Sequence, residues 1–479
     1  MLDSGVRSAS GEFSLQSSQF VQWLRNCPGV RISSKVNFAQ AGSSGEASGV
    51  FATENITEDE ELFMIPGDVC LTFKSSHLRS RPGFDHLEED LGPWFCLMLT
   101  MVYEFLRGTA SPWQPYLNLL PSSFDSLMFW SDEELRDLQG SAIKDRIGKQ
   151  DANTAILDRL LPIALQHPEI FPVPGHISSF DSPEGREYFL TVAHRMGSLI
   201  MAYAFDVESE DDKEEGEDGY VTDEEDQPTS KAMVPLTDLL RAAVHNHNTR
   251  LFQEDGAFIV RATRTIAAGD ELVSEHEEMP RSECLRRYGT APLDCAPFDV
   301  VDMPRDIICQ EFEVSSTDDP RLAYLDDLEL LDDGYTVPRP PSTSVPIDQL
   351  LPEELIAVLY VLSLPLDKVR LLHSKGKEPK PRLGPNEIQR FLNAVRRRKM
   401  DYATGIDEDM SLLASLEHDP SRRRQALAVH VRIGEKEVLV QLEHALQTYL
   451  DEQQATSSTG QTRRGHDEDS EVQNKRRKL

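Results

Sequence analysis

Short strand-like runs at Val30–Phe38, Gly49–Thr53, Glu61–Ile65 and Val69–Phe73 are cut off from further strand-like runs near residue 250 by a long stretch of helical spacing. That ordering most constrains the fold, because it reads as a mainly helical block inserted into a strand-rich one. The helical stretch is clearest at Pro183–Ala204, where Phe189, Val192, Ala193, Met196, Leu199 and Ile200 recur at helical spacing. Ser182 stands as N-cap and Pro183 in the first turn. Trp94–Leu106 reads as a buried helix and Ala142–Leu165 as a long helical pattern. A short amphipathic helix is expected at Ser18–Arg25. Strands resume at Arg250–Gln253, Ala257–Ala262 and Glu271–Ser274, with Gly269-Asp270 as the turn before the last. Beyond about Pro297 the spacing is helical again, at Val345–Leu362, Pro385–Arg398, Asp409–Ile433 and Glu435–Leu450. No fixed-period repeat is present.

Charge narrows the partners. The formal net charge is −33 over 479 residues, and the run Asp206–Asp226 holds thirteen acids against one base, Lys213. With few apolar residues, that run cannot offset its ordering entropy and reads as a disordered loop. Such acidity argues against nucleic acid, whose phosphates need Lys and Arg, and favours a basic protein partner steered by the field. The six cysteines show no C-x-x-C pair, which fits a reducing compartment rather than a zinc site or a disulfide framework. No signal-peptide pattern opens the chain. The longest apolar stretch, Trp94–Leu106, is broken by Thr100 and Glu104 and falls short of the roughly 20 residues that span a membrane. Residues 453–479 read as a polar, disordered tail ending in Lys475-Arg476-Arg477-Lys478. That cluster suggests a nuclear location, with the cytoplasm as a second one and a solvated basic tail as the plain alternative.

Polar side chains crowd between short apolar runs from Met233 to Gly289, the pattern of a site rather than of a core. His245-x-His247 with Glu275-His276-Glu277 could supply metal ligands, but the spacing matches no metal signature, and solvated loop histidines are the plainer reading. There is no G-x-S-x-G nucleophile turn, Walker A loop or G-x-G-x-x-G pattern.

The chain resembles the SET-domain protein lysine methyltransferases, most nearly the fungal ribosomal lysine N-methyltransferase 4 type of the Rubisco methyltransferase group. The resemblance rests on Gly49-Val50-Phe51-Ala52, Glu61-Leu62-Phe63-Met64-Ile65-Pro66, Ala193-His194-Arg195-Met196-Gly197-Ser198, Met233-Val234-Pro235-Leu236, and Pro280-Arg281-Ser282 running into Leu285-Arg286-Arg287-Tyr288-Gly289. It implies an α+β fold, a SET β-structure split by a helical insert. The SET domain would occupy 1–295, with the insert at about 90–205 and the acidic loop at 206–231. An all-helical substrate-binding domain would follow at 296–452. It implies S-adenosylmethionine as methyl donor and a lysine ε-amine, on a basic ribosomal protein, as acceptor. Carried over by position, Gly49, Arg241, Ala242 and Asn248 would hold the cofactor, and Tyr288 and His276 would stand at the catalytic positions; no metal is implied.

Three positions depart from that family pattern. Arg241-Ala242 replaces an asparagine–histidine step. Gly45-Glu46-Ala47-Ser48-Gly49 replaces a Gly-x-Gly-Arg-Gly turn. Ser274-Glu275-His276-Glu277 replaces the stretch that supplies a catalytic tyrosine. Two expectations follow: an active lysine methyltransferase, or a SET-fold protein-binding module that has lost transfer. A metal-dependent enzyme using His245, His247 and His276 is a third, smaller alternative.

Overall fold

The computed structural model describes residues 16–40, 48–207, 230–342, 345–416 and 419–476. Contacts between Cα atoms divide the chain into two units. One comprises residues 1–129, 147–278 and 287–289; the other comprises 130–146, 279–286 and 290–479. The division is therefore not the single cut expected after residue 295, since 130–146 and 279–286 pack with the C-terminal unit.

The first unit is built on a six-stranded sheet. Its strands are β1 (Arg31–Ile32), β4 (Glu61–Pro66), β7 (Arg241–Ala243), β8 (Thr249–Glu254), β9 (Ala257–Ala262) and β10 (Val273–Glu275), in the order β1-β4-β9-β8-β10-β7. Two hairpins accompany it, β2 (Val36–Gln40) with β3 (Ser48–Ala52) and β5 (Ala204–Val207) with β6 (Ser230–Met233). β4 pairs antiparallel with β9 across the whole intervening chain. β8 and β9 are joined by Asp255-Gly256, at φ 46° and 72°. Two successive positive φ values make the two-residue turn whose twist matches a hairpin, and Asp-Gly is the pair that adopts it most readily. β10 differs from its neighbours in running parallel to both β8 and β7.

The Pro183–Tyr203 helix follows its sequence signals. Ser182 Oγ accepts from the Gly185 N–H at 3.1 Å, and Phe189, Val192, Ala193, Met196, Leu199 and Ile200 are buried. Each large side chain so buried contributes roughly 1.5–3 kcal/mol, so this face outweighs the cap, which is worth about 1 kcal/mol. Elsewhere local geometry modifies the expectations. The helix expected from Trp94 begins at Leu87, with Gly92 (φ 75°) and Pro93 marking a kink. The pattern at Ala142–Leu165 breaks into a 3-10 turn and two helices, Lys149–Arg159 and Leu161–Gln166, because Gly148 is left-handed and Pro162 cannot continue a helix. Val69–Phe73 is not a strand: a 3-10 turn ends at Val69, and Leu71 makes one isolated bridge to Met233. The loop expected over 206–231 is shorter at its ends, because Asp206-Val207 and Ser230-Lys231 are paired in β5 and β6. Residues 208–229, the bulk of the acidic run, lie outside the described residues.

Among the described residues the second unit is mainly helical, with one two-stranded antiparallel sheet, β11 (Val300–Pro304) and β12 (Gly334–Pro338). Ile388, Phe391, Leu392 and Val395 of the Pro385–Arg398 helix share a core with Leu439, Leu442 and Leu446 of the Arg423–Arg476 helix. That last helix runs through Gly434, where two helices were expected. It also continues past residue 452, where a disordered tail was expected. Residues 477–479, and with them half of the basic cluster, lie outside the described residues.

Gly434 is required by a buried ion pair. Arg281 Nη2 and Asp299 Oδ2 are 2.6 Å apart with side chains 4% and 5% exposed, and a Cβ on residue 434 would sit 2.3 Å from that oxygen. Nearby, Glu435 accepts from Ser141 Oγ at 2.6 Å and from the Tyr402 hydroxyl at 2.7 Å. Burial drives the Glu435 carboxyl up to about 7, against those hydrogen bonds. No helix among the described residues is long and apolar enough to cross a membrane.

Candidate functional site

β7 is the edge strand of the six-stranded sheet and has a partner, β10, on one side only. The His276 N–H donates to the Ala243 carbonyl at 3.0 Å. Alternation along the strand therefore turns the N–H and C=O of Ala242 toward the open side. Arg241 and Ala242 are both exposed. An edge with turned-out backbone groups beside a charged side chain can hold a polar ligand without help from the side chain of residue 242.

Across from β7 lies the segment 270–272, tied to β3 by Ala52 N–H to Asp270 O (2.9 Å) and Leu272 N–H to Val50 O (2.7 Å). Phe51 and Glu271 form an isolated bridge there. This brings Glu271 against Gly49, so close that a Cβ on residue 49 would stand 3.0 Å from Glu271 Oε1. The other carboxylate oxygen, Oε2, accepts from Arg241 Nε at 2.8 Å. Gly49 and Arg241, picked out separately along the sequence, thus meet at Glu271, while Ala242 lies opposite Ser274 in the strand pair. The sequence offered no reason to single out Glu271, which sits in an ordinary strand-like run.

Asn248 is near the same place but does a different job. It is 5% exposed. Its Nδ2 donates to Glu271 O at 2.8 Å and its Oδ1 accepts from the Val273 N–H at 2.7 Å. Its own N–H reaches Val273 O, and its carbonyl accepts from the Thr263 N–H, both at 2.9 Å. Asn248 therefore pins the Glu271–Val273 backbone and, with both amide groups so engaged, positions Glu271.

His276 and Tyr288 are brought together. Their rings meet edge to face, with centroids 5.6 Å apart and planes at 88°. His276 Nδ1 lies 2.6 Å from the Glu277 carbonyl. A carbonyl can only accept, so Nδ1 carries the hydrogen and the neutral ring keeps its lone pair on Nε2. Glu277 also lies 3.8 Å from Arg287 in an ion pair.

The Pro235-Leu236-Thr237-Asp238 segment holds a buried polar cluster that the sequence did not disclose. Both Asp238 carboxylate oxygens are sealed from solvent. Burial pushes the Asp238 carboxyl up to about 7. Burial raises the neighbouring Tyr116 hydroxyl well above its ordinary range, helped by the Asp238 charge, and Tyr203 rises to about 12 for the same two reasons. Leu236, at φ 88°, is a non-glycine residue in the left-handed half of backbone space at the mouth of this turn.

His245, His247 and His276 do not assemble a metal centre: among the described residues, no three His, Cys, Asp or Glu side chains converge on one point. All six cysteines are free, Cys284 and Cys295 included, whose sulfurs are 3.6 Å apart.

The chain matches two protein families, the SET domain over residues 47–276 and the Rubisco LSMT substrate-binding domain over residues 319–439. It is 29% identical to ribosomal lysine N-methyltransferase 4 of Saccharomyces cerevisiae, over 60% of this chain and 58% of that protein. It is 27% identical to N-lysine methyltransferase SETD6 of Homo sapiens, over 82% of this chain and 83% of the relative. Among solved structures, Rubisco LSMT bound to AdoMet superposes with a TM-score of 0.62 at 18% identity, covering 91% of this chain and 92% of that one. The alignment thus spans somewhat more than half the length of the yeast relative, and the structural likeness extends over nearly the whole chain.

Proposed function

We propose that this chain, which carries a SET domain followed by a Rubisco LSMT substrate-binding domain, is an S-adenosylmethionine-dependent protein-lysine N-methyltransferase. The observation that supports this most is the meeting of Gly49 and Arg241 at Glu271, beside the open edge that Ala242 helps to form. The residues present fit such a donor. Arg241 would bring a cation toward a sulfonium, a repulsion of about 4 kcal/mol at 4 Å near a protein surface, but its pairing with Glu271 at 2.8 Å cancels that charge. A Cβ at residue 49 would stand 3.0 Å from Glu271 Oε1 and 3.1 Å from the Phe51 ring, so glycine is what lets Glu271 lie this close to β3. The backbone of Ala242 replaces what a side chain would offer.

When bound, the donor supplies an activated methyl group on a sulfonium. The chain has to hold a lysine ε-amine in line with it, keep water out, and present acceptors around the methyl. His276 and Tyr288 are the side chains assigned to that task, with Tyr288 supplying a hydroxyl and His276 the Nε2 lone pair.

The finer reading is a ribosomal protein as substrate. It rests on the yeast relative named above and on the net charge of −33, which suits a basic partner. The proposed location is the nucleus, with the cytoplasm as a second site, on the strength of Lys475-Arg476-Arg477-Lys478. Deleting the last five residues should move the protein out of the nucleus, and an unchanged distribution would remove that assignment.

One observation favours a second reading, a SET-fold protein-binding module without transfer. His276 stands where a tyrosine hydroxyl would serve, and its Nδ1 is spent on Glu277 O. Calorimetric titration of the purified protein with S-adenosylmethionine, followed by labelled methyl transfer to ribosomal proteins, separates the two. Binding with transfer supports the enzyme, binding without transfer supports the module, and no binding at high micromolar donor sinks the enzyme.

A further inference from the structure

The net charge of −33 describes the chain as a whole, and one stretch of the second unit reverses it. From Leu366 to Lys399 there are eleven Lys and Arg against three Asp and Glu. The later cations of this stretch are committed within the fold. Arg396 and Lys399 share Glu443, at 2.9 and 2.6 Å, and Arg398 is buried with Nη2 donating to the Gly140 carbonyl at 2.6 Å. The earlier ones are not. Arg370, Lys375, Lys377, Lys380 and Arg382 are exposed, and none of their side chains has a hydrogen bond or ion pair among the described residues. Asp327, an acid of the helix packed beside them, is already taken by His373. Local geometry strings the last four of these cations into a row. The Leu366–Ser374 helix closes at Gly376, at φ 54°, with the Gly376 N–H on the His373 carbonyl at 3.0 Å and the Lys377 N–H on the Leu372 carbonyl at 3.3 Å. That left-handed closure sets Lys375 and Lys377 on either side of the turn, and the Tyr324 hydroxyl donates to the Lys377 carbonyl. Glu378-Pro379-Lys380-Pro381 follows and forms neither helix nor strand. Each proline fixes its own φ and pushes the residue before it to extended backbone. In an extended chain rising about 3.1 Å per residue, cations two residues apart stand roughly 6 Å apart.

We infer that the row Lys375, Lys377, Lys380 and Arg382 is a docking surface for the phosphate backbone of single-stranded RNA. Attraction to the dipole of a helix C-terminus falls off within one turn, so it accounts for Lys375 and Lys377 but not for Lys380 and Arg382. A row of regularly spaced, unpaired cations matches a polymer that carries one charge per nucleotide. Between Lys375 and Arg382 the chain has no aromatic residue and no aliphatic one larger than proline. The row therefore offers no platform for stacking a base and no apolar contact for the other side chains of an acidic peptide, and it recognises charge along a backbone whatever the sequence. The prolines hold the row extended before any ligand arrives, which lowers the ordering cost of binding. The acids of the rest of the molecule do not forbid this, because at physiological salt the screening length is about 8 Å. The choice of RNA over other nucleic acid rests on the ribosomal-protein reading above. Binding is measured without methyl transfer, so either can fail alone.

Fluorescence anisotropy of a labelled single-stranded oligouridylate, titrated with the full chain over a series of salt concentrations, tests this. Four phosphate contacts predict a slope of log affinity against log salt of about −3. The combined variant Lys375→Gln, Lys377→Gln, Lys380→Gln and Arg382→Gln should bind about ten-fold or more weakly at low salt, with a slope near zero. Its melting temperature should stay that of the wild type, because none of the four side chains has a partner to lose. The double variant Lys380→Gln and Arg382→Gln leaves the helix untouched and should remove about half of the slope. Deleting the last five residues, which takes away the other basic cluster, should leave the affinity as it is. Polyglutamate of the same charge bound as tightly as the RNA would overturn the inference in favour of an acidic protein partner. Single-stranded DNA should bind through the same row, since the contact is to phosphate. Unchanged RNA binding in the combined and double variants, or a loss on deleting the tail instead, overturns the inference by placing the contact elsewhere. No binding by the wild type at low salt overturns it outright.

Discussion

The imidazole of His276 stands edge-on to the ring of Tyr288, centroids 5.6 Å apart, with its Nδ1 held by the Glu277 carbonyl. The contact orients His276 so that Nε2, and no O–H, is what it can offer a substrate. Losing one placed oxyanion-hole donor costs about 10²–10³ in rate, which sets the scale for a single placed polar group. His276→Tyr should therefore raise labelled methyl transfer by roughly ten-fold or more. Tyr288→Phe should lower it. No change in either variant would favour the protein-binding module.

The acidic run can be tested through the hairpin that carries it. Val207 pairs with Ser230, so the two ends of 208–229 meet across a strand pair. A two-residue Asn-Gly turn can replace the run without straining β5 or β6. If the run steers a basic substrate, the shortened protein should lose substrate capture at low salt and match the full chain near 1 M salt, where the screening length is about 3 Å. A loss that persists at high salt would count against steering.

Glu435 predicts a pH dependence. Its carboxyl stands at about 7 against an ordinary value of 4.5, burial being the main cause. Between those two values the folded chain holds a proton that the unfolded chain has lost. The unfolded state therefore binds fewer protons, and stability falls as pH rises through the window from about 4.5 to 7. Glu435→Gln should flatten the decline in melting temperature between pH 4.5 and 7. Unchanged slopes in the two proteins would show that Glu435 does not carry it.

Gly434→Ala should be strongly destabilising. The new Cβ would lie 2.3 Å from Asp299 Oδ2 and 2.6 Å from Arg281 Nη2, so the pair must separate or the helix must shift. Breaking a buried ion pair costs about 3–5 kcal/mol. A melting temperature within a degree or so of the wild type would show that the pair can re-form elsewhere.

The sequence disclosed what depends on local spacing. Pro183–Tyr203 carries its own N-cap and apolar face, and both are found in the structure. Ala142–Leu165 shows where this fails: its apolar spacing is helical, but Gly148 and Pro162 divide it, and a periodicity count does not weigh one residue's φ. The candidate site was legible in its parts and illegible in its centre. Arg241 and Glu271 are 30 residues apart, and only the parallel pairing of β7 with β10, together with the bridge from Phe51 to Glu271, brings them together. Asn248 was assigned to the cofactor by its match to a family position; its burial and its bonds to the backbone are tertiary facts that such a match does not carry.

The pairing of β4 with β9 has a consequence for how the protein is made. Leu62, Phe63 and Ile65 are buried in the finished sheet, yet the strand that covers them begins about 190 residues after β4 ends. At ribosomal rates of roughly 5–20 residues per second, β4 leaves the ribosome some 10–40 seconds before β9 exists. For that interval an apolar strand waits without its partner while the helical insert and the acidic run are synthesised. Such an unpaired edge is a template for association with other nascent chains. Production of this protein should therefore depend on chaperone capacity and slow at high expression levels, a cost set by the strand order rather than by the stability of the folded state.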